Sequence, residues 1–359
     1  MQTYAHGGNI YAAVSPKGAW LDFSANINPL GLSAKVRDCL INNMAAVTAY
    51  PDPEAREFRG AVAEHFAVAY EKILPANGAA ELFYLFFHTM KFRRVVIPVP
   101  TFSEYERAAR AAGSRVNRLY LSAADNFTLE IGSLRQSLMT ADCLVLANPD
   151  NPTGRLLPRE NLLAIGDFAA ANDKWLLIDE SFLEFRPEAE ELTARHLVRE
   201  GFPLVVVHSL TKFYALPGLR LGFAVVPPSL AAKLNLHRDP WSVNVLAQKA
   251  GVVALHDLDY QEATRRYVAM EQKYLLSALG RLPNLKIFPP SVNFLLLSLA
   301  DSPWRSNELV AAMQRENILL RDCQNYPGLD DTFIRLAVRR REENELLLRA
   351  WHELWRAKG

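Results

Sequence analysis

The sequence has few cysteines, almost no net charge and no long apolar run. Its three cysteines, Cys39, Cys143 and Cys323, lie far apart without a Cys-x-x-Cys motif, so reduced, unpaired thiols are expected. No apolar run approaches the ~18 residues of a membrane helix. The net charge of +1 provides no bulk basic character for nucleic acid. A cytoplasmic protein without a membrane or nucleic-acid partner is expected.

Two other signals are missing. The first ten residues have neither the basic nor the apolar region of a signal peptide. No G-x-G-x-x-G motif follows an early strand, which disfavours an enzyme that binds a nicotinamide cofactor. No cluster of residues suggests a metal site. These absences leave a globular enzyme or a binding protein as the classes to consider.

The length and apolar content indicate more than one domain. The chain has 359 residues, of which 50% are hydrophobic, enough for one large and one smaller core. We expect an N-terminal arm at residues 1–35, a large domain at 36–263 and a small α/β domain at 264–359.

Short apolar strands alternate with amphipathic helices from Val95 onward. Strands that are apolar throughout and separated by helices predict a mostly parallel sheet covered on both faces. Ligands in such sheets bind at the carboxyl ends of the strands. The predicted strands of this sheet are Val95–Val99, Cys143–Ala147, Trp175–Ile178, Leu204–Val207 and Phe223–Val226.

One lysine stands at the end of a predicted buried strand. Lys212 has the small hydroxyl residues Ser209 and Thr211 before it, and a Pro-Gly turn and Arg220 after it. Burial lowers the pKa of an amine and leaves it partly neutral, which Schiff-base formation with an aldehyde requires. An isolated lysine would more often reach solvent from a loop, but these neighbours favour a chemical role.

Polar residues also follow the other predicted strands. Asn148-Pro-Asp-Asn-Pro-Thr-Gly154 follows one strand and Asp179-Glu-Ser-Phe182 follows the next. A carboxylate at the end of an apolar strand is costly unless it has a cationic partner. Upstream, Asn77-Gly-Ala-Ala-Glu81 opens an apolar helix, and small residues at a helix start let an anion approach free backbone N–H groups.

Together these motifs resemble the fold-type I pyridoxal 5′-phosphate (PLP) enzymes, the class I/II aminotransferase family. The resemblance implies the aspartate-aminotransferase-like PLP-dependent transferase fold, with a mostly parallel large domain and a smaller α/β C-terminal domain. It implies catalytic roles for Lys212, which carries the cofactor, and Asp179, which pairs with the pyridine nitrogen. The implied cofactor-binding residues are Tyr50, Gly78, Ala79, Ala80, Phe102, Asn151, Asp179, Ser209, Thr211, Lys212 and Arg220.

In this family the residue at Tyr50 reaches the cofactor phosphate of a partner subunit, so the resemblance also implies a homodimer. One position departs from the family. Many of its aminotransferases carry tyrosine three positions after the aspartate, whereas this chain has Phe182 and lacks that hydroxyl. This departure weakens the prediction of a plain aminotransferase.

A narrower resemblance covers almost the whole chain. His6-Gly-Gly-Asn, Asp22-Phe-Ser-Ala-Asn-Ile-Asn, Asp179-Glu-Ser-Phe and Arg321-Asp-Cys are similar to segments of the threonine-phosphate decarboxylases of cobalamin biosynthesis. It implies decarboxylation of L-threonine O-3-phosphate to (R)-1-amino-2-propanol O-2-phosphate. The implied substrate-binding residues are His6, Gly7, Gly8, Asn28, Arg321 and Arg335.

Several of these positions also have an ordinary structural explanation. Without the resemblance, His6 would be a solvated terminal histidine, Asn28 and Tyr50 turn residues, Phe102 a core aromatic, and the two strand arginines solvent-facing charges. Three other activities stay open: transamination of histidinol phosphate, decarboxylation of L-serine O-phosphate, and PLP binding without turnover. One methyl group separates threonine from serine and discriminates by only ~1–3 kcal/mol.

Overall fold

Strands and helices alternate along the chain in the computed structural model, which describes residues 6–11, 14–16 and 18–358. The helices are α1 Ala34–Asn42, α2 Arg56–His65, α3 Ala79–Met90, α4 Ser103–Ala111, α5 Ile131–Met139, α6 Arg159–Ala171, α7 Ala189–Leu192, α8 Pro228–Asn235, α9 Val245–His256, α10 Leu258–Leu279, α11 Ser306–Arg315 and α12 Arg341–Lys358. The strands are β1 Leu21–Asp22, β2 Ile73–Ala76, β3 Arg94–Val99, β4 Arg115–Tyr120, β5 Cys143–Ala147, β6 Trp175–Asp179, β7 Leu204–Ser209, β8 Gly222–Val225, β9 Lys286–Ile287, β10 Phe294–Ser298, β11 Ile318–Leu319, β12 Arg321–Asp322 and β13 Phe333–Ala337.

The largest sheet of the described residues has seven strands in the order β2-β8-β7-β6-β5-β3-β4. The five strands β3 to β7 are all parallel to one another. Within this sheet only β8 runs in the opposite direction, and it pairs antiparallel with both β7 and the edge strand β2. The predicted mostly parallel α/β sheet is therefore confirmed, and the carboxyl ends of β5, β6 and β7 lie side by side.

Helices cover both faces of this sheet, which explains why its central strands are apolar throughout. On one face, α3, α4 and α8 pack through residues such as Phe83, Tyr105 and Leu230. On the other face, α1, α2, α5, α6 and α9 form a second apolar cluster that includes Phe58 and Leu162. The sheet is thereby shielded from water on both sides, and its polar residues are concentrated at the strand ends.

The C-terminal part of the chain forms a smaller antiparallel sheet. Its order is β12-β13-β10-β9 within the described residues, and α10, α11 and α12 pack on it. The N-terminal strand β1 pairs in parallel with β11, so the start of the chain joins this smaller unit. The boundaries at residues 36 and 264 stay predictions.

The structure differs from the sequence-based elements at several points. The pattern did not predict β4, because this edge strand is mostly exposed and polar, nor β2, which is four residues long and contains Pro75. The sequence pattern predicts one strand over residues 318–322, which the structure interrupts at Leu320 into β11 and β12. It also predicts a helix over residues 265–282, whereas α10 spans Leu258–Leu279.

Two further observations concern the sequence expectations. The three cysteines are free thiols, and two of them, Cys143 and Cys323, are buried. Across the described residues, no helix combines the length and apolar composition that crossing a bilayer requires.

A close approach of two backbones places the start of α3 against the sheet. Gly222 opens β8, and a Cβ atom built on it would lie 2.8 Å from the His208 carbonyl oxygen and 2.9 Å from the Ala79 nitrogen. Because these neighbours are backbone atoms, a side chain at position 222 would have to push α3 away from the sheet.

We therefore expect Gly222→Ala to destabilise the protein by about 1–3 kcal/mol through overpacking. The matched control is Gly60→Ala in α2, where a Cβ atom meets nothing within 4 Å. That change should stabilise the helix by about 0.5–1 kcal/mol. Denaturant unfolding of both variants measures the two effects, and equal stabilities of Gly222→Ala and the wild type would contradict the packing argument.

Candidate active site

A cavity of about 220 Å³ lies between the carboxyl ends of the parallel strands, the small sheet and the N-terminal arm. Most of the residues singled out from the sequence line it, although they are spread over more than 300 positions of the chain. The predicted residues in its wall are His6, Gly7, Ala79, Ala80, Phe102, Asn151, Asp179, Ser209, Thr211, Lys212, Arg220 and Arg335.

Five predicted residues are not in this wall. Gly78 lies next to it, packed against Arg220, and Gly8 donates its backbone N–H to Ser24 Oγ at 2.8 Å. The side chain of Asn28 is buried and donates to the Phe213 carbonyl oxygen, Tyr260 and Thr264, so this asparagine ties the turn to α10. Arg321 lies behind Tyr326, and Tyr50 is 80% exposed at the surface.

One end of the cavity presents donors suited to a phosphate. The start of α3 contributes Ala79 and Ala80, and the hydroxyls of Ser209 and Thr211 lie 2.7 Å apart. Arg220 has no carboxylate within ion-pair distance in the described part of the chain. A Cβ atom on Gly78, whose φ is +80°, would lie 2.3 Å from Arg220 Nη2, so only glycine leaves room for this guanidinium.

Lys212 lies at the centre of the cavity wall. Burial, followed by the positive charges of Arg335 and Arg220, lowers the pKa of its amine to about 8. Asp179 and Asp22 act in the opposite direction but do not offset these effects. About a tenth of the amine is therefore neutral at pH 7, far more than for an unperturbed lysine, and the neutral form is the nucleophile that a carbonyl compound requires.

The carboxylate of Asp179 is buried at the end of β6. Its oxygens accept hydrogen bonds from Tyr105 Oη at 2.6 Å and from the Ser181 backbone N–H at 2.8 Å and hydroxyl at 2.5 Å. Burial raises the pKa of Asp179, while these hydrogen bonds and Lys212 oppose that rise. No arginine or lysine forms an ion pair with it among the described residues, so a cationic ligand nitrogen would complete its environment.

The phenylalanine that replaces the family tyrosine packs among other rings. Phe182 lies edge-on to Phe294 with ring centroids 5.3 Å apart, and the guanidinium of Arg335 lies 5.4 Å from the centre of the Phe294 ring. Position 182 therefore supports Arg335 through an aromatic contact and contributes no hydroxyl to the cavity.

Two buried arginines face each other on adjacent strands of the small sheet. Arg321 in β12 is paired in register with Arg335 in β13, and the two side chains are 8% and 4% exposed. Neither forms an ion pair with a carboxylate in the described residues, and the Nε atoms of both are buried without a hydrogen-bond partner. Like charges directly opposite each other destabilise a sheet, so the pair favours a bound anion.

The hydrogen bonds of Arg335 connect the small sheet to the segments that follow β1 and β5. Its Nη2 donates to the Ser24 carbonyl oxygen at 2.7 Å, and its Nη1 donates to Asn151 Oδ1. Because the Asn151 oxygen is occupied in this way, its amide nitrogen is the group that can donate to a ligand oxygen. The arginine of the small sheet therefore orients the asparagine that follows β5.

Sequence reasoning missed several residues of the wall. Tyr105 and Tyr326 line the cavity, and their neighbours in the chain do not mark them as polar site residues. Ser24 and Asn26 also line it; they belong to a segment that carries the resemblance but had no predicted role. Tyr105 is part of an amphipathic helix, where an aromatic residue is expected to be core. Ser181 could have been found, because a serine two positions after an aspartate often hydrogen-bonds back to that carboxylate.

The cavity fits the cofactor that the resemblance implies. PLP has a phosphate, a pyridine ring, a phenolic oxygen and an aldehyde, and each has a counterpart in the wall. Arg220, Ser209, Thr211 and the α3 N–H groups suit the phosphate, whereas Asp179 suits the ring nitrogen. Phe102 offers a ring face, Asn151 an amide donor and Lys212 an amine.

The sequence matches the family described as aminotransferase class I and II over residues 19–350. It is 39% identical to a threonine-phosphate decarboxylase of Salmonella typhimurium, over 96% of this chain and 95% of that protein. It is 34% identical to a histidinol-phosphate aminotransferase of Desulfitobacterium hafniense, over 92% and 90%. An adenosylcobalamin biosynthesis bifunctional protein of Leptospira interrogans is 29% identical over 98% of this chain and 41% of its own length.

Solved structures show the same similarity. A histidinol-phosphate aminotransferase from Clostridium acetobutylicum superposes with a TM-score of 0.86 at 28% identity, over 93% of this chain and 99% of that one. An L-threonine-O-3-phosphate decarboxylase from Porphyromonas gingivalis superposes with a TM-score of 0.81 at 27% identity, over 92% and 98%. The predicted fold is therefore confirmed.

The pKa of Lys212 generates a testable prediction for the cofactor-free protein. The amine titrates near 10.5 when unperturbed and near 8 in the fold. Below pH 8 both the folded and the unfolded state carry the proton, so the cost of the buried charge is fully present. Between pH 8 and 10.5 the folded state loses the proton first, so its stability rises with pH.

Lys212→Met should therefore raise the free energy of unfolding at pH 7 by about 1–3 kcal/mol, and this gain should shrink as the pH approaches 10. Urea unfolding of the cofactor-free variant and wild type across this range measures it. Lys233→Met, at an exposed position of α8, is the control and should show little effect. If the stabilisation by Lys212→Met instead grew with pH, the claim that Lys212 is a buried cation at pH 7 would be wrong.

Proposed function

Because this chain belongs to the aminotransferase class I and II family, we propose that it uses PLP to decarboxylate L-threonine O-3-phosphate. The products are CO2 and (R)-1-amino-2-propanol O-2-phosphate, with a proton replacing the carboxylate on the α-carbon. The family and the cofactor predicted from the sequence are confirmed. A role in cobalamin biosynthesis and a cytoplasmic location are part of the same proposal.

The observation that carries the substrate class is the buried pair of Arg321 and Arg335. Two guanidinium groups stand opposite each other without a carboxylate partner among the described residues, and each has a buried Nε–H that no acceptor meets. A phosphate carries nearly two negative charges and has several acceptor oxygens, so it can bind Arg335 in the cavity wall, while Arg321 behind Tyr326 adds positive charge. Gly7 lies beside Arg335, because a Cβ atom on it would be 3.4 Å from Arg335 Nη2, and His6 also lines the cavity.

The residues divide the chemistry between them. When bound, the cofactor supplies an electron sink for the charge left on the α-carbon of the substrate. Asp179 would hold a positive charge on the ring nitrogen, and the donors around Arg220 would hold the cofactor phosphate. Lys212 Nζ, with a pKa of about 8, can accept and return a proton near neutral pH.

Orientation of the substrate decides which bond breaks. The residues that hold the substrate would select the bond on its α-carbon that breaks, and complete orientation contributes up to ~7–11 kcal/mol. A grip on the distal phosphate would leave the α-carboxylate free to depart as CO2. A grip on the α-carboxylate would instead expose the α-hydrogen and favour transamination.

Transamination of histidinol phosphate is the second candidate, supported by the 34% identity to the Desulfitobacterium aminotransferase. Two observations favour decarboxylation. Identity to the Salmonella decarboxylase is higher, at 39% over a larger share of both chains. The tyrosine hydroxyl of many aminotransferases is absent, because the chain has Phe182 at that position.

The same proposal includes a homodimer. An exposed apolar patch lies around Tyr50, whose ring stacks on Trp241 with centroids 4.7 Å apart. Ile41, Met44 and Val47, in and after α1, are each at least 58% exposed. Large exposed apolar side chains in one region favour a protein interface, and a second copy of the chain would place Tyr50 near its neighbour's cavity, as the family resemblance implies.

The proposed function predicts the products of the reaction. Protein loaded with PLP should release CO2 from L-threonine O-3-phosphate while the cofactor absorbance returns to its starting state. Transamination of histidinol phosphate would instead convert the cofactor to its pyridoxamine form. L-Serine O-phosphate tests the contribution of the methyl group, and Lys212→Ala should abolish turnover. Conversion of the cofactor without CO2 would reject the decarboxylase.

Variants of the arginine pair belong to the same experiment. Arg335→Gln and Arg321→Gln should each raise KM for the phosphorylated substrate about 10- to 100-fold, because each removes charge-assisted hydrogen bonds. Cofactor absorbance should be retained in both. Arg115→Gln on the exposed edge strand β4 is the control and should leave KM unchanged. An unchanged KM in both pair variants would discredit the phosphate grip.

The proposed homodimer makes a separate prediction about the mass of the assembly. Sedimentation equilibrium should report twice the 40.3 kDa mass of one chain. Val47→Asp places a charge in the apolar patch and should shift the protein toward the single chain, with loss of activity. Met139→Asp, which is 53% exposed at the other end of the large sheet, is the control. A fully active wild-type single chain would contradict the dimer.

A further inference from the structure

The carboxylate of Glu104, in the first turn of α4, holds a residue that lies far away in the sequence. Its Oε1 is 2.9 Å from Nε2 of His6, and its Oε2 accepts a hydrogen bond from Tyr84 Oη at 3.1 Å. The Glu104 side chain is only 12% exposed. Hydrogen bonding to His6 is the largest cause of the lowered pKa of this carboxylate. The contact therefore fixes the arm from the large-domain side.

The next residues of the arm are fixed from the opposite side. A Cβ atom on Gly7 would lie 2.0 Å from the Ser24 carbonyl oxygen, and Gly8 N–H donates to Ser24 Oγ. The same Ser24 carbonyl accepts from Arg335. Residues 6–8, which we call the arm crossing, thus span from α4 to Arg335, and His6 and Gly7 form part of the cavity wall.

The arm crossing has little intrinsic order. Two of its three residues are glycines, which lose the most backbone entropy when they become fixed. Glycine also has no side chain to pack, so the position of this segment depends on a few polar contacts. His6 provides the end contact, and its ring centroid lies 5.6 Å from that of Phe102, the predicted cofactor-stacking residue.

We propose that Glu104 is a positioning residue that holds His6 and the arm crossing in place as a wall of the substrate half of the cavity. The inference rests on the proposed function only for the identity of the substrate. Without this carboxylate, the His6 end of the arm leaves the cavity more often, and the phosphorylated substrate meets an incomplete binding site. The groups that suit the cofactor phosphate and ring nitrogen, Arg220 and Asp179 among them, lie on other segments and keep their own contacts.

The first measurement does not depend on turnover. Hydrogen–deuterium exchange of the PLP-loaded protein without substrate should be about tenfold faster over residues 6–11 in Glu104→Ala, as expected for the loss of one charge-assisted hydrogen bond. Exchange in the core strands should be unchanged. Wild-type exchange rates over residues 6–11 in this variant would overturn the proposal.

A matched control separates this role from helix capping. Glu106 is also in the first turn of α4, but it pairs with Arg110 and Arg118 on the outside of the protein. Glu106→Ala removes the same favourable charge at the helix N-terminus and should leave the arm protected. Faster arm exchange in both variants would show a general effect of α4 and reject the specific role of Glu104.

The second measurement is kinetic. Glu104→Ala should raise KM for L-threonine O-3-phosphate about tenfold, with kcat and cofactor absorbance near the wild-type values. His6→Ala should act in the same way, and the double variant should be no worse than either single variant, because both remove one contact. Additive effects, or a loss of kcat with unchanged KM, would contradict the proposal.

The experiments distinguish a variant that fails to fold, a failure of the proposed function and a failure of the present inference. If Glu104→Ala does not fold, His6→Ala leaves α4 intact and must show the same faster exchange over the rest of the arm. If the wild type releases no CO2, the proposed function fails, while the exchange measurement still decides whether Glu104 fixes the arm. If the wild type decarboxylates and the arm stays protected in both variants, only the present inference fails.

Discussion

The cavity depends on an imbalance of charge. Lys212, Arg220 and Arg335 point positive charge into one cavity, and Asp179 is a carboxylate in its wall. A buried charge without an ion-pair partner, such as that of Arg335, costs several kcal/mol, which is large against a typical folding stability of ~5–15 kcal/mol. Anionic ligands would offset this imbalance. Burial, and after it the repulsion from Arg335 and Arg220, lowers the pKa of Lys212 and makes its amine reactive.

The topology separates the two halves of the site. Parallel strands deliver Asp179 and Ser209 to one edge of the large sheet, beside the start of α3, and these groups suit a cofactor. The small sheet delivers Arg335 from the opposite direction, and the arm closes the gap between them. Glu104 links these parts, because its helix also carries Tyr105, which holds Asp179. The residues that suit the cofactor and those proposed for the substrate therefore come from separate structural units that share a wall.

Much of the fold could be predicted from the residues. The strands β3, β5, β6 and β7 can be recognised in the sequence as apolar runs, because a strand buried on both faces has few polar positions. Edge strands lack this signal, so exposed β4 was missed. Within the site, Lys212 and Asp179 were predicted because polar residues after apolar strands are unusual. Tyr105 was not, because its hydroxyl is the only polar atom of a side chain that otherwise packs as core.

Local sequence determined the elements, the family and the chemical groups on offer, because short-range periodicity and motif spacing are properties of the chain itself. Tertiary structure decided which of those groups meet. It placed Arg321 opposite Arg335, set His6 on Glu104 across 98 positions, and left Asn28 outside the cavity wall. Contacts of this kind depend on strand register and on the packing of distant segments, which no local pattern encodes.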